Sequence, residues 1–80
     1  VLELLMRVFV KLFAQYREGR FKAEHKEFPE GMTAQMLVDL LELESVSPLG
    51  VLMVNGRHVA VSYVLQEGDE IALFPKVGGG

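Results

Sequence analysis

Hydrophobic residues occupy every second position in a stretch near the start of the chain, from Met6 to Phe13. One set of alternate positions is aliphatic, and the other set combines aromatic residues with cations. The aliphatic set is Met6, Val8, Val10 and Leu12, and the mixed set is Arg7, Phe9, Lys11 and Phe13. A period of two with β-branched and aromatic residues predicts a β-strand. The mixed set indicates a sheet face that is not simply solvated.

The next two segments predict a loop and a second strand. Residues 14–20 are polar and contain Gly19, which is typical of a loop or a wide turn. Residues 21–28 alternate more weakly and predict an edge-like strand paired with the first one. Pro29 and Gly31 then end this strand.

Thr33 is a favourable N-cap for the apolar run that follows it. Several apolar side chains recur there at helical spacing, which predicts an α-helix with one buried side. These side chains are Ala34, Met36, Leu37, Leu40 and Leu41. We expect this stripe to pack in the core, with a groove for a partner as the alternative. A loop at 45–50 ends the helix.

The second half of the chain predicts a hairpin and a final strand. The short apolar run 51–54 precedes Asn55-Gly56, a dipeptide that tolerates positive φ at both central positions of a tight turn. Residues 57–61 would form the returning arm, and 70–74 the last strand, ending at Pro75. This order predicts an α+β fold with one helix on one face of a small mixed sheet. We expect the first and last strands to be neighbours at its centre.

Length and charge restrict the class of protein. The 80 residues are enough for one domain, 1–80. Because Met6 directly precedes the alternating stretch, residues 1–5 are either an upstream start or a non-native extension. A net charge of −3 argues against a nucleic-acid binder. The apolar start is shorter than the roughly 20 residues that span a bilayer and lacks the features of a secretory signal, so we expect no membrane partner and a cytoplasmic location.

The side chains offer little chemistry of their own. There is no cysteine, and the two histidines, His25 and His58, lie far apart without metal-ligand spacing, so no metal site is expected. The acidic residues of L-E-L-E and G-D-E are interpreted as a solvated helix edge and a turn. No nucleophile is paired with a base, so we do not expect an enzyme.

The segment F-P-K-V-G-G-G, residues 74–80, offers main-chain chemistry instead. Glycines without Cβ atoms leave the Gly80 carboxylate unhindered and let the segment enter a narrow channel. Such a carboxylate suits an enzyme that activates a protein C-terminus by attack on the α-phosphate of ATP. A sulfur or nitrogen nucleophile then displaces AMP from the adenylate. A non-native glycine linker is the alternative, and composition alone does not separate the two.

Three stretches resemble the ThiS/MoaD family of sulfur-carrier proteins. L-Q-E-G-D-E-I-A-L-F-P-K-V-G-G-G, residues 65–80, resembles the C-terminal signature of this family. V-K-L-F-A-Q-Y-R-E-G, residues 10–19, is similar to the first strand and turn of its molybdopterin branch, and M-V-N-G-R, residues 53–57, to the hairpin of both branches. The resemblance implies a β-grasp, ubiquitin-like fold, with 76–80 as a flexible tail.

The resemblance also implies a function. Gly80, reached through Gly78 and Gly79, would be adenylated by an E1-like adenylyltransferase and converted to a thiocarboxylate with a sulfurtransferase. The sulfur would pass to a molybdopterin synthase large subunit or, in the thiamine branch, to a thiazole synthase. The chain would be a non-catalytic carrier that binds no cofactor, because the activating enzyme supplies ATP and metal. A ubiquitin-like modifier conjugated through Gly80 and a plain β-grasp binding module are the alternatives.

Partner docking is expected on the open face of the sheet. Matching the family motifs places docking residues at Phe13 and Phe74, with Pro75 beside them. The middle position falls near His58, where the family would have an aliphatic residue, and alternation adds Phe9. Lys76 stands where the molybdopterin branch often has a second proline, and V-G-G-G looks more like the thiamine branch.

Overall fold

The computed structural model describes residues 4–76 of the chain. The described part contains five strands, one α-helix and two short 3-10 helices. The strands are β1 (Leu5–Leu12), β2 (Ala23–Pro29), β3 (Leu49–Val54), β4 (Arg57–His58) and β5 (Glu70–Pro75). The α-helix is α1 (Ala34–Leu40), and the 3-10 helices are η1 (Ala14–Arg17) and η2 (Leu43–Ser45). No helix within 4–76 is long and apolar enough to cross a membrane.

All five strands form one sheet in the order β2-β1-β5-β3-β4. β1 and β5 run parallel beside each other, with Phe9 opposite Glu70 and Leu12 opposite Leu73. The other neighbouring pairs are antiparallel. The expectation that the first and last strands adjoin within the sheet is therefore confirmed. Because they are parallel, the chain must cross over between them, and α1 lies on this connection.

The core lies on one face of the sheet. The aliphatic positions of β1 are buried, as the alternation predicts, and they pack with buried residues from β5 and α1. The main contributors are Met6, Val8, Val10, Leu12, Ala34, Leu37, Val38, Ile71 and Leu73. Fully burying a side chain of the larger types stabilises the fold by about 1.5–3 kcal/mol. The aliphatic face of β1 is thus the base on which the helix packs.

The helix begins as predicted, but it is shorter than expected and buries a different set of side chains. Thr33 Oγ1 accepts a hydrogen bond from the Met36 amide at 3.2 Å, which confirms the N-cap. Met36 and Leu40, however, are 50% and 59% exposed, whereas Val38 is buried. The inclusion of Met36 and Leu40 in the core was wrong. α1 ends at Leu40 and the left-handed conformation of Glu42 (φ 55°) redirects the chain, so that α1 buries one narrow strip.

The hairpin turn has the predicted conformation, but its second arm is short. Asn55 and Gly56 both have positive φ, 53° and 81°. β4 ends at His58 instead of continuing to residue 61. The chain turns away because Val61 O accepts a hydrogen bond from the Gln35 amide at 2.9 Å. Amides in the first turn of a helix lack partners within the helix, and this loop supplies one.

Asp69 departs most clearly from its predicted surroundings. It was expected in a solvated turn, but it is only 6% exposed. Its carboxylate accepts hydrogen bonds from Asn55 Nδ2 at 2.9 Å, Tyr63 OH at 2.8 Å and the Gln66 amide at 2.8 Å. A buried carboxylate is tolerated where it is hydrogen-bonded in this way. Asp69 therefore ties the β3–β4 turn to the start of β5.

The two ends of the described chain are held by backbone hydrogen bonds. Leu5, which the expected N-terminal extension includes, belongs to β1 and lies opposite Pro29. Lys76, which the expected tail includes, donates its amide to Pro48 O at 2.7 Å. The rest of that tail, from Val77 to Gly80, lies outside the described residues.

Candidate functional site

The sheet face opposite the helix carries the mixed aromatic and cationic positions of β1. Strand register arranges this open face in rows. One row crosses all five strands through Ala23, Lys11, Ala72, Met53 and His58. Because directly opposite residues point to the same face, this row places an apolar centre between Lys11 and His58.

Phe13 and Phe74 lie side by side at one end of the open face. Their ring centroids are 4.2 Å apart and the planes differ by 11°, so the rings are stacked. The Arg17 guanidinium lies 5.6 Å from the centre of the Phe13 ring, within cation–π distance. Both rings are half-buried. The two residues expected from separate motifs therefore form one aromatic surface.

An apolar groove adjoins this aromatic surface. It has a volume of about 260 Å³ and is lined by Ala14, Val51, Met53, Phe74 and Pro75. Val51 lies opposite Phe74 in the register of β3 and β5 and is 37% exposed. A half-exposed apolar groove beside stacked aromatic rings can accept an apolar side chain from another protein.

The remaining predicted docking residues lie around this groove or away from it. Phe9 is on the open face but packs against His25, at 4.6 Å between ring centroids. His58 is exposed on the edge strand, opposite Met53. Pro75 is buried, and it borders the groove without projecting from the surface. Their roles in docking stay predictions.

Sequence reasoning missed Val51 and Met53, which line the groove. The signal was present, because Leu52 and Val54 are buried and the strand alternates with a period of two. Residues 51–54 are apolar throughout, however, so the pattern alone did not say which pair faces outward. Only the register with β5 shows that Val51 and Met53 lie on the open face.

A hydrogen bond from Tyr16 stabilises the loop next to the end of β5. Tyr16 is buried, and its hydroxyl donates a hydrogen bond to Ser47 O at 2.7 Å. Burial raises the pKa of Tyr16 above its usual value of 10.0, helped by the Glu44 carboxylate and opposed by Arg20. Tyr16 therefore remains a neutral hydrogen-bond donor near pH 7.

The described residues contain no cluster that suggests a resident metal. Between Leu4 and Lys76, no group of three or more His, Asp or Glu side chains is arranged to hold an ion. The predicted reactive residue, Gly80, and its neighbours Gly78 and Gly79 lie outside the described residues. The described part of the candidate site therefore consists of the aromatic surface and the adjoining groove, and it ends at Lys76.

A mixed five-stranded sheet with parallel central strands and one helix across one face defines a ubiquitin-like, β-grasp protein. The fold class expected from the resemblance is thereby confirmed. The ThiS family model matches residues 10–80, nearly the whole chain, and the chain belongs to this family. ThiS/MoaD family members are small non-catalytic proteins, and this chain is a carrier or ubiquitin-like modifier of that kind.

Two solved structures show the same architecture. The putative molybdopterin converting factor, subunit 1, of Pyrococcus furiosus is 30% identical with a TM-score of 0.73, covering 90% of this chain and 99% of its own. The small archaeal modifier protein 1 of H. volcanii is 26% identical with a TM-score of 0.73 and the same coverage, 90% and 99%. The chain is thus similar both to a converting-factor subunit and to a protein modifier.

A third similarity concerns part of a much larger protein. The threonine–tRNA ligase of Protochlamydia amoebophila (strain UWE25) is 42% identical over 48 residues. This match covers 60% of the chain but 7% of the ligase. It relates the chain to a small segment of that protein and carries no inference about tRNA charging.

Proposed function

We propose that this chain is a sulfur carrier whose Gly80 carboxylate is adenylated and converted to a thiocarboxylate. One observation carries the proposal: the ThiS family model extends from residue 10 to Gly80, so it includes both the open face and the terminal glycines. The strand that carries Phe74 also leads to those glycines. Docking residues and the reactive end therefore belong to one continuous segment.

The proposed chemistry takes place on the main chain of Gly80. A carboxylate oxygen attacks the α-phosphorus of ATP, an acyl–phosphate bond forms, and pyrophosphate leaves with the bonding electrons. A sulfide equivalent from a sulfurtransferase then attacks the carbonyl carbon, and AMP leaves, giving the thiocarboxylate and a proton. The thiocarboxylate sulfur then attacks an acceptor carbon and displaces an oxygen leaving group, which departs with the bonding electrons, so that a thioester links Gly80 to the acceptor. Water cleaves the acyl–sulfur bond, which leaves the sulfur on the acceptor as a thiol and restores the Gly80 carboxylate with release of a proton. The absence of cysteine fits this scheme, since the sulfur travels on the carbonyl.

The chain's own contribution is recognition. In this proposal Phe13, Phe74 and the groove beside them contact an E1-like adenylyltransferase and later the sulfur acceptor. The activating enzyme supplies ATP, metal and the groups that stabilise the transition state. Because activation consumes ATP, the proposal places the chain in the cytoplasm.

We propose molybdopterin synthesis as the receiving pathway. The P. furiosus neighbour is described as subunit 1 of a molybdopterin converting factor, and it is 30% identical to this chain. The resemblance of residues 10–19 to the molybdopterin branch supports the same choice. The partner would then be the large subunit of molybdopterin synthase, with thiazole synthase as the corresponding partner in a thiamine pathway.

The proposal is tested by incubating the purified chain with an E1-like adenylyltransferase, MgATP and sulfide. Intact-mass spectrometry should show replacement of one oxygen by sulfur, and the same chain lacking Gly80 should remain unmodified but folded. A full-length chain that binds the enzyme yet gains neither adenylate nor sulfur would contradict the proposal.

A second candidate function is covalent protein modification. The H. volcanii neighbour is named a small archaeal modifier protein, and it has the same TM-score of 0.73. An amine in place of sulfide would attack the same adenylate and form an amide. Expression of the tagged chain in its native host separates the two: Gly80-dependent adducts of higher mass favour modification, and thiocarboxylate without adducts favours sulfur transfer.

A further inference from the structure

Both backbone polar groups of Lys76, the last described residue, form hydrogen bonds. Its amide donates a hydrogen bond to Pro48 O at 2.7 Å. Its carbonyl accepts a longer one from Ser47 Oγ at 3.4 Å. Both partners belong to the loop before β3, so this loop fixes the point from which Val77–Gly80 continue.

Gly50 allows the loop to lie this close. The register of β3 and β5 shifts between Leu49 and Val51, which leaves Gly50 as the extra residue of a bulge. A Cβ atom on Gly50 would lie 2.7 Å from Lys76 Cα and 2.8 Å from both Lys76 N and Pro75 O. These are backbone atoms that cannot rotate away, so any side chain at this position must displace the peptide that joins Pro75 to Lys76.

The loop is in turn attached to the core. Ser47 O accepts a hydrogen bond from the hydroxyl of Tyr16, whose side chain is fully buried. A chain of contacts therefore runs from the core through Tyr16 and Ser47 to Lys76. A surface loop without such an anchor would be free to move with the end of the strand.

We propose that Ser47, Pro48 and Gly50, here called the exit clamp, are positioning residues for activation of Gly80. The inference rests on the proposed function, because it concerns delivery of the same carboxylate. Four residues beyond Lys76 reach at most about 14 Å when fully extended, so the location of Lys76 limits where Gly80 can arrive. The exit clamp fixes the position of Lys76 relative to the docking surface formed by Phe13 and Phe74.

The expected effect follows from chain statistics and reaction geometry. If Pro75 and Lys76 detach from the loop before β3, the segment between the sheet and Gly80 becomes two residues longer. The effective concentration of the Gly80 carboxylate at the nucleotide site then falls about twofold. A displacement of 1 Å in the reacting geometry can lower a rate by roughly 10²-fold. Gly50→Ala should therefore reduce kcat for adenylation between about twofold and 10²-fold. Docking through Phe13 and Phe74 should be retained, since the clash falls on the backbone of Pro75 and Lys76 and on neither aromatic ring.

The test measures ATP–pyrophosphate exchange by an E1-like adenylyltransferase, together with hydrogen exchange at the Lys76 amide. Gly50→Ala should lower kcat with KM for the chain within twofold, and it should accelerate exchange at Lys76. Gly31→Ala is the matched control: Gly31 has a positive φ of 93° and nothing within 4 Å of its Cβ position. Gly31 follows β2 at the end of the sheet opposite to Lys76. The backbone strain of an alanine there should therefore leave both kcat and hydrogen exchange at Lys76 unchanged.

Tyr16→Phe provides a second variant if Gly50→Ala does not fold. This substitution keeps the buried ring but removes the hydrogen bond from the Tyr16 hydroxyl to Ser47 O. Hydrogen exchange at the Lys76 amide should accelerate about fivefold, and kcat should fall less than it does in Gly50→Ala. Unchanged kcat in a folded variant whose Lys76 exchange has accelerated would overturn the inference, as would an unprotected Lys76 amide in the wild type. Failure of the wild type to be adenylated would instead contradict the proposed function, while protection at Lys76 would still establish the contact.

Discussion

Phe74→Ala tests whether the aromatic surface docks the activating enzyme. The substitution removes a ring that stacks on Phe13 at 4.2 Å and forms one wall of the 260 Å³ groove. An aromatic pair contributes about 0.5–1.5 kcal/mol beyond its buried area, and half-burial of the ring adds roughly 1 kcal/mol. Phe74 is half-buried, so this loss should leave the fold intact against a typical total stability of about 5–15 kcal/mol.

The expected loss of affinity is a separate effect from the loss of stability. Aromatic residues at the centre of an interface typically cost about 2 kcal/mol or more when truncated. At about 1.4 kcal/mol for each factor of ten, Kd for the activating enzyme should rise about 30-fold. Stability and affinity are measured separately, by urea unfolding and by isothermal titration calorimetry.

Leu40→Ala is the matched control for this experiment. Leu40 is also an apolar side chain, 59% exposed, but it lies on α1, which packs on the opposite face of the sheet. Its truncation should leave Kd unchanged. If Phe74→Ala binds within twofold of the wild type, or if both variants lose affinity equally, the open face is not the docking surface.

Further predictions concern Asp69 and alkaline pH. Asp69→Ala should lower the free energy of unfolding by about 3 kcal/mol, about 1 kcal/mol for each accepted hydrogen bond, in urea unfolding followed by circular dichroism. Asp39→Ala, at an exposed helix position, should cost less than about 0.5 kcal/mol, and equal losses would refute the assignment. The hydrogen bond to Asp69 raises the pKa of Tyr63 above 10.0, so its stabilisation is complete below pH 10 and is lost as pH rises through the raised pKa. Stability should therefore fall less steeply above pH 10 in Tyr63→Phe than in the wild type, and parallel profiles would contradict this contribution.

The alternation in β1 predicted the core correctly because successive side chains of a strand always point to opposite faces of the sheet. Once Met6 and Val8 are assigned to one face, Phe9 and Phe13 must lie on the other. The helix was predicted less well, because its phase depends on a few residues and on where it stops. Burial of Val38 and exposure of Leu40 depend on which side of α1 packs against the sheet, and no local signal marked that side.

The polar network and the groove depend on contacts between distant parts of the chain. Asp69 is buried because Asn55 and Tyr63, 14 and 6 residues away, supply donors that cancel the cost of burying its charge. The outward direction of Val51 and Met53 depends on the register with β5. Resemblance, not periodicity, placed Phe13 and Phe74 on a common surface, and their stacking gives that surface a definite shape.

The central claim is tested most directly by locating the transferred sulfur. Trypsin cleaves after Lys76 and releases the peptide Val77–Gly80. After incubation with the activating enzyme, MgATP and labelled sulfide, tandem mass spectrometry should find the label in this peptide and assign it to the carbonyl of Gly80. Label on any other peptide, or an unmodified Val77–Gly80 peptide from a chain that has consumed ATP, would contradict the account.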